Sequence, residues 1–359
     1  MRIKDTRMTS KRELRVGLVG YRGRGRGLAL SWQGVEGAKF VALADDNPEH
    51  IADAKKTLGD IETYDSHKAM LDNANLDILT VATRAVFRPP IIRDAAASGI
   101  GGIYAEKPIA NSLAEADAMI EQCKASGTVF SIGHQRRWAA PILKVRDAIR
   151  DGAIGRPTHG YVYWSTARVG SNGTHFFDAI SFMLDSKPVE VSGKVQYGVD
   201  LTKMDDSPLT ETLNHDPGAM GFITYESGAR IAVDLMADTT LPYTYMFCGT
   251  KGRIDLHESG EWRVDYHARD EDSRAFRNTA PLSKRDFQLP PFDDDAASKG
   301  GYRDLIRAIE TGSPTASSGE DGRLALEIIV AFHQSSDAGM KPVSLPLDNS
   351  MRGKLLDIH

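Results

Sequence analysis

The stretch that decides the fold is Val16-Gly17-Leu18-Val19-Gly20-Tyr21-Arg22-Gly23-Arg24-Gly25. Its opening run, Val16–Val19, is short and apolar, which is typical of a strand buried on both faces of a parallel sheet. The glycines that follow allow a tight turn in which the backbone can approach a ligand closely. We therefore predict a strand, a glycine-rich turn and a helix, in that order.

A glycine-rich turn in this position is where the pyrophosphate of a dinucleotide binds, because the helix N-terminus offers N–H groups and a positive end. Gly20 and Gly25 match the first and last glycines of the G-x-G-x-x-G fingerprint, whereas Arg22 stands at the middle position and Gly23 follows it. Three cations are candidates for phosphate contacts: Arg22, Arg24 and Arg26. A surface turn without a ligand is the alternative, and an RNA-binding run is less favoured because the stretch directly follows a strand.

The rest of the first half repeats this alternation of short apolar runs and helical patterns. Further strands are predicted at Phe40–Ala44, Leu76–Ala82, Ile103–Ala105 and Val129–Ile132. Helices are predicted to begin after the N-cap Asn47, to span Pro89–Ser98, and to run from the N-cap Ser112 to Gly127. Such alternation predicts a doubly wound parallel sheet, which is an α/β Rossmann domain.

Beyond Trp138 the apolar pattern changes to alternation with a period of two, which predicts a mostly antiparallel sheet with one solvated face. The segments concerned are Tyr161–Trp164, Ala219–Tyr225, Arg230–Leu235 and Tyr245–Cys248. Helices are predicted at Ile142–Arg150, Tyr302–Glu310 and Gly322–Gln334, and a loop at Arg269–Ala297. We predict a first domain over residues 1–138 and an α+β domain over residues 139–359, whose C-terminal helices are candidates for packing back on the first.

The composition is that of an ordinary globular protein. The chain has 359 residues, 41% of them hydrophobic, and its 44 Lys+Arg against 49 Asp+Glu give a formal net charge of −5. These values exclude disorder as the main character and disfavour a dedicated nucleic-acid binder, which is usually basic. No apolar run reaches the roughly 20 residues that span a bilayer, the N-terminal segment lacks the apolar region of a secretory signal, and two cysteines are too few for a multi-cysteine zinc site. We expect a cytoplasmic protein without a membrane, nucleic-acid or metal partner.

Two further strand ends carry polar residues that suit a dinucleotide and its reaction partner. Asp45 and Asp46 end the second strand, where a carboxylate can accept hydrogen bonds from the adenosine ribose. These carboxylates would repel a 2′-phosphate, so NAD is favoured, although NADP is not excluded. Glu106 and Lys107 follow the fourth strand, at the edge of the sheet where ligands of such folds bind.

Taken with the stretches Gly133–Trp138, Gly173–Asp178 and Gly319–Arg323, these motifs make the chain similar to the glucose–fructose oxidoreductase / inositol dehydrogenase / MocA family. The resemblance implies NAD(P)-dependent hydride transfer at a hydroxyl-bearing carbon of a sugar, cyclitol or related polyol. It also implies a large open sheet in the second domain that binds substrate and forms a homodimer or homotetramer. Two alternatives stay open: an NAD-dependent glycosidase that oxidises its substrate transiently, and a non-catalytic sensor that binds a dinucleotide.

The resemblance also implies roles for single residues. Lys107 matches the catalytic lysine, which can act as a cation or join the proton relay, and His175 matches the acid/base histidine. The remaining candidates for the cofactor are Thr83, Arg84, Glu106 and Gln135, and those for the substrate are Trp164, Arg168 and Asp178. Ser171 stands where many relatives carry an aspartate, which leaves open whether Asp178 orients the imidazole or makes a structural pair.

Overall fold

The computed structural model describes residues 12–164, 168–197, 216–236, 242–259, 261–269 and 282–358. Its first sheet has six parallel strands in the order β3-β2-β1-β4-β5-β6. The strands are β1 Leu14–Val19, β2 Ala38–Ala44, β3 Glu62–Tyr64, β4 Ile78–Val81, β5 Gly102–Ala105 and β6 Val129–Ile132. The order reverses between β1 and β4, and this is where ligands bind in doubly wound sheets. The predicted parallel sheet is thus confirmed.

Five helices connect these strands: α1 Arg24–Trp32, α2 Pro48–Leu58, α3 His67–Asn73, α4 Arg88–Ala97 and α5 Leu113–Ser126. The predicted caps form, since Asn47 accepts from the backbone N–H of Glu49 at 2.8 Å and Gly127 adopts a left-handed φ of 72°. Sequence analysis missed β3 and α3. Both are short, and neither carries an apolar run long enough to stand out from a loop.

The second sheet has nine strands in the order β14-β13-β12-β11-β7-β10-β9-β8-β15. The strands are β7 Pro157–Tyr163, β8 Pro188–Val195, β9 Ala219–Tyr225, β10 Arg230–Leu235, β11 Thr244–Gly249, β12 Gly252–Ser259, β13 Glu261–Arg269, β14 Leu282–Arg285 and β15 Val343–Ser344. Its neighbours are antiparallel apart from β7 and β10. The predicted α+β architecture is confirmed, but the loop expected at Arg269–Ala297 is wrong where it contains β14, and residues 270–281 lie outside the described part.

Four helices complete the described chain: α6 Ala140–Arg150, α7 Gly173–Leu184, α8 Asp294–Thr311 and α9 Gly319–Asp337. Helices α7 and α9 pack together and against β8, covering one face of the second sheet. Helix α8 returns to the first sheet, where the Tyr302 ring stacks on Trp32 with centroids 3.9 Å apart. The Tyr302 hydroxyl also donates to the carbonyl oxygen of Leu28 at 3.2 Å. Helix α8 therefore packs on α1 of the first half of the chain.

The other face of the second sheet carries apolar side chains in the open. On β9, the side chains of Met220 and Phe222 are 41% and 56% exposed. Within the described residues, no helix is long and apolar enough to cross a membrane. The same residues contain no group of three or more His, Cys, Asp or Glu side chains arranged to hold a metal ion.

Candidate active site

The turn after β1 is built for close approach of a ligand. Gly20 has a left-handed φ of 88°, and a Cβ at Gly25 would lie 1.9 Å from the carbonyl oxygen of Gly20. Gly25 is therefore required for the helix to pack on the turn. The next glycine of the turn, Gly23, has a φ of 55° and precedes α1 without a side-chain cap on the helix. The N–H of Gly25 donates to the carbonyl oxygen of Arg22 at 3.1 Å, and the start of α1 has no side-chain acceptor for its other N–H groups.

A cavity of about 670 Å³ opens beside this turn. Six of the predicted cofactor residues line it: Gly20, Arg22, Asp45, Asp46, Thr83 and Arg84. Asp45 is buried, and its carboxylate accepts from the backbone N–H of Tyr21 at 2.7 Å, which joins the turn to β2. The hydroxyl of Thr83 is buried without a hydrogen-bond partner in the described part of the chain. A carboxylate, an orphan hydroxyl and an uncapped helix end fit the ribose and phosphates of a dinucleotide.

Several lining residues of this cavity escaped sequence analysis. They are Asn47, His50, Ser66, His67, Phe87 and Pro90. His50 Nδ1 lies 2.9 Å from a carboxylate oxygen of Asp45, so the histidine helps to fix that side chain. The signal for Asn47 and His50 was their place directly after the carboxyl end of β2. Ser66 and His67 lie at the start of α3, and Phe87 and Pro90 at the start of α4. Their approach to the cavity depends on the folded sheet.

The three arginines of the glycine turn differ in their partners. Arg22 is exposed on the cavity and makes no hydrogen bond or ion pair with a described residue. Arg24 instead donates to Glu106 at 3.1 Å and to Asp294 of α8 at 2.9 Å, while Arg26 donates to Asp53 at 3.2 Å. Because carboxylates of the chain engage Arg24 and Arg26, these two arginines are less available for the predicted phosphate contacts than Arg22 is.

Glu106, predicted as a cofactor residue, is likewise engaged within the chain. Its side chain is buried, and a buried carboxylate requires a counter-charge, which Arg24 supplies. Its other oxygen accepts from the backbone N–H of Lys107 at 3.2 Å. Glu106 thus ties the glycine turn to the lysine, and it is not among the residues that line the cavity.

The two arginines after β4 also differ. Arg84 is exposed on the cavity, with its guanidinium 5.2 Å from the centroid of the Phe87 ring. Arg88 is buried and donates to backbone carbonyls of Thr83 at 2.7 Å and of Lys107 at 3.3 Å, and also to that of Pro108. It is bound within the chain and holds the ends of β4 and β5 together.

Lys107 lies half-buried between the two sheets. Its Nζ donates to the backbone carbonyl oxygen of Ser171 at 2.9 Å. Burial lowers the pKa of Lys107 to about 8, with Arg136, Arg88 and Arg168 adding to the effect against the opposing charge of Glu106. A substantial fraction of this lysine is therefore neutral near physiological pH and can accept a proton.

His175 stands in the first turn of α7 and is buried. Its Nδ1 has no hydrogen-bond partner among the described residues. Burial, followed by the charges of Lys107 and Arg136, lowers the pKa of His175 well below its usual 6.5. The imidazole is therefore neutral near pH 7 and presents a free ring nitrogen. The structure brings Lys107 and His175 into one electrostatic environment.

Asp178 does not belong to this pair. Its carboxylate accepts three hydrogen bonds from Arg137, at 3.0, 3.0 and 2.7 Å, and lies 3.1 Å from His134 Nδ1. The guanidinium and His134 hold the pKa of Asp178 well below its usual range, although burial acts in the opposite direction. Asp178 is committed to this buried ion pair, which supports the structural pair that sequence analysis left open, while its contact with substrate stays a prediction.

A cluster from the second sheet closes the region around Lys107. Arg136 donates to the carboxylate of Glu258 at 2.7 Å and lies over the ring of Tyr243, 4.9 Å from its centroid. Trp164 is half-buried, with its ring centroid 5.1 Å from that of Tyr243. Sequence analysis named Trp164 but missed Glu258 and Tyr243, which stand on β12 and immediately before β11 and carry no local motif.

Two other predicted residues present unpartnered atoms. Gln135 has a buried side-chain oxygen, and Arg168 a buried Nε, and neither atom has a hydrogen-bond partner among the described residues. Ser171 likewise has a buried hydroxyl without a recorded partner. Buried polar groups are normally satisfied in native proteins, so these atoms are available to hydrogen-bond a ligand or an ordered water.

Comparison with known proteins identifies the family to which the chain belongs. A model described as "Oxidoreductase family, NAD-binding Rossmann fold" matches residues 14–134, and one described as "Oxidoreductase family, C-terminal alpha/beta domain" matches residues 160–345. The chain belongs to the glucose–fructose oxidoreductase / inositol dehydrogenase / MocA oxidoreductase family. This family member binds NAD through its first sheet, where the cavity and the glycine turn lie.

Relatives of this oxidoreductase include characterised dehydrogenases. The D-apiose dehydrogenase of Paraburkholderia graminis is 26% identical, with 86% of this chain and 84% of that protein covered. The myo-inositol 2-dehydrogenase of Thermotoga maritima is 24% identical, with 90% and 96% covered. The crystal structure of an aldose–aldose oxidoreductase from Caulobacter crescentus, complexed with glycerol, superposes with a TM-score of 0.76 at 21% identity, covering 93% and 100%. That structure confirms the fold.

Proposed function

We propose that this oxidoreductase is an NAD-dependent dehydrogenase of a sugar, cyclitol or related polyol. The observation that carries the proposal is Lys107, whose pKa lies at about 8 and whose charge acts on the neutral, buried His175. The names of the related D-apiose and inositol dehydrogenases support the substrate class.

In the proposed reaction, bound NAD supplies the hydride acceptor, and the substrate CH–OH becomes C=O with release of one proton. Neutral Lys107 accepts the hydroxyl proton at Nζ, because the charge already nearby makes His175 the weaker base. His175 binds the reacting oxygen as a neutral imidazole and orients it toward the lysine. Arg136 and Glu258, paired at 2.7 Å, hold the opposite wall in place.

For the cofactor, we propose that the turn at Gly23 and the N-terminal end of α1 bind the pyrophosphate together with Arg22. Asp45 and Asp46 would face the adenosine ribose, where their charge disfavours the 2′-phosphate of NADP. Thr83, Arg84 and Gln135 complete the groove with polar atoms. An uncapped helix end beside a cavity of about 670 Å³ supports this assignment.

The test is direct. Purified protein is mixed with NAD and a panel of neutral and acidic monosaccharides, aldonic acids and cyclitols, and NADH absorbance is followed. We expect turnover on at least one substrate, and we expect Lys107→Met to abolish it while NAD still binds by calorimetry. Sugar released from a glycoside without NADH formation would instead support the glycosidase alternative, and NAD binding without turnover on any substrate would support the sensor.

The oligomeric state and the location of this protein are two further proposals. We propose that a second copy covers the open face of the second sheet, since Met220 and Phe222 are exposed there. Light scattering after gel filtration should then show a dimer or tetramer, and Phe222→Asp should shift it toward the monomer. We propose the cytoplasm as the location because both cysteines, Cys123 and Cys248, are free thiols.

A further inference from the structure

Arg168 is a cation near the candidate site whose side chain makes no hydrogen bond within the described part of the chain. Its Nε is buried and unpaired, and the described residues provide no hydrogen bond or ion pair to its side chain. Its backbone is fixed, because its carbonyl oxygen accepts from the N–H groups of Asn172 at 2.9 Å and Gly173 at 2.8 Å. Arg168 therefore stands at the entry to α7, three residues before the carbonyl of Ser171 that receives Lys107.

Among the carboxylates of this region, Glu258 is paired with Arg136, and Glu106 with Arg24. Asp216 accepts from the backbone N–H groups of Gly170 at 2.6 Å and Ser171 at 2.7 Å, and its charge also interacts with that of Arg168, although no ion pair joins the two side chains. The nearby cation Lys107 feels the charge of Arg168 as well, since Arg168 contributes to lowering the pKa of the lysine. The guanidinium of Arg168 is therefore without a hydrogen-bonded anion among the described residues.

An unpaired guanidinium nitrogen that is shielded from water is costly, unless a ligand completes it. The planar fork of an arginine matches a carboxylate with two parallel hydrogen bonds, and such charge-assisted pairs are stronger than those to neutral hydroxyls. A neutral polyol would leave the guanidinium of Arg168 without a hydrogen-bonded anion. A substrate with one carboxylate would supply that anion.

We propose that the substrate is a sugar acid, whose carboxylate binds Arg168 while one of its hydroxyl-bearing carbons faces Lys107 and His175. This inference rests on the proposed dehydrogenase function and specifies its substrate class. The carboxylate takes no part in the chemistry. The reacting carbon gives its hydride to NAD, the hydroxyl proton goes to Lys107, and the C–OH bond becomes a carbonyl.

The test compares acids with their matched neutral parents: gluconate with glucitol, glucuronate with glucose, and galacturonate with galactose. We expect kcat/KM for at least one acid to exceed that of its parent by about 100-fold. Arg168→Met should remove this preference mainly through KM, whereas Arg168→Lys should retain part of it. Arg26→Met, which removes an exposed arginine paired with Asp53, serves as the matched control and should leave the preference intact.

Equal turnover of acids and parents, or an equal loss on both in Arg168→Met, would overturn the inference. A preference for glucose 6-phosphate over gluconate would overturn the carboxylate in favour of a phosphate. Calorimetry with NAD present separates failure of this inference from failure of the proposed dehydrogenase function. Acids that bind the wild type and not Arg168→Met support the inference even without turnover, and acids that bind neither protein overturn it.

Discussion

The Nζ of Lys107 donates to the backbone carbonyl oxygen of Ser171 at 2.9 Å. This bond joins the end of β5 in the first sheet to the loop before α7 in the second half of the chain. The N–H of Ser171 is in turn held by Asp216 at 2.7 Å. The lysine is therefore positioned by backbone atoms of the loop before α7.

Replacing Lys107 separates its charge from its ability to take a proton. We expect Lys107→Arg to lose kcat about as severely as Lys107→Met, on the order of 10²–10⁴-fold, because arginine stays protonated and cannot act as a base. Steady-state kinetics with NADH detection measures the effect. If Lys107→Arg kept most of the activity, the lysine would act as a cation and the proton would leave by another group.

The pH dependence follows from the same lysine. Because the pKa of Lys107 is about 8, we expect kcat/KM for oxidation to rise with pH and level off above about 8. No inflection is expected near 6.5, since His175 is already neutral there. A profile measured from pH 5.5 to 9.5 checks this, and His175→Gln should lower the plateau without moving its midpoint. A midpoint near 6.5 that disappears in His175→Gln would return the base to the histidine.

Asp216 is expected to act by positioning. Asp216→Asn leaves one of the two N–H groups of Gly170 and Ser171 facing an amide donor, which loosens the carbonyl that receives Lys107. We expect kcat to fall about 10-fold while the affinity for NAD, measured by calorimetry, stays unchanged. The pH midpoint should also shift, because the lysine gains freedom. A loss of NAD affinity instead would mean that the whole loop had moved.

The glycine turn offers a matched pair of variants on one helix. A Cβ at Gly25 meets the carbonyl oxygen of Gly20, whereas a Cβ at Gly27 meets nothing within 4 Å. We expect Gly25→Ala to cost about 3 kcal/mol of unfolding free energy and to weaken NAD binding at least about 10-fold. Gly27→Ala should be neutral or stabilise by up to about 1 kcal/mol. Equal effects of both on NAD binding would show that the close contact is unimportant.

A buried histidine outside the site predicts how stability depends on pH. Burial lowers the pKa of His333 to about 4, with Lys354 adding to the effect and Asp337 opposing it. The hydroxyl of Tyr197 also lies 2.5 Å from its Nδ1. Because the unfolded chain binds the proton first, unfolding free energy should fall by up to about 3 kcal/mol as pH drops from 6.5 to 4.

His333→Gln tests that dependence, since glutamine can accept the Tyr197 hydroxyl and does not titrate. Denaturant unfolding at several pH values should show a flatter slope between pH 6.5 and 4 than in the wild type. The two proteins should differ least at pH 4, where the wild type has lost the contribution of the neutral histidine. Parallel curves would assign the acid sensitivity to other groups.

The sequence predicted what depends on local pattern. Runs such as Val16–Val19 identified five of the six strands of the first sheet, and the Glu106-Lys107 turn marked the site, because carboxyl ends of parallel strands meet at one edge. Charge partners could not be predicted in the same way. Arg24 was predicted to contact phosphate and Asp178 to contact substrate. The charged partners that these two residues have in the fold are distant in sequence, and only folding brings them near.

Arg24 has one more consequence. From the turn beside the cofactor cavity it reaches Glu106 at the end of β5 and Asp294 and Ser298 on α8, with Asp294 standing 270 residues further along the chain. A substitution of Asp294 or Ser298 on α8 would therefore disturb the glycine turn after β1. In a genetic screen, such a variant would pass for a defect in NAD binding, although its mutation lies close to the opposite terminus.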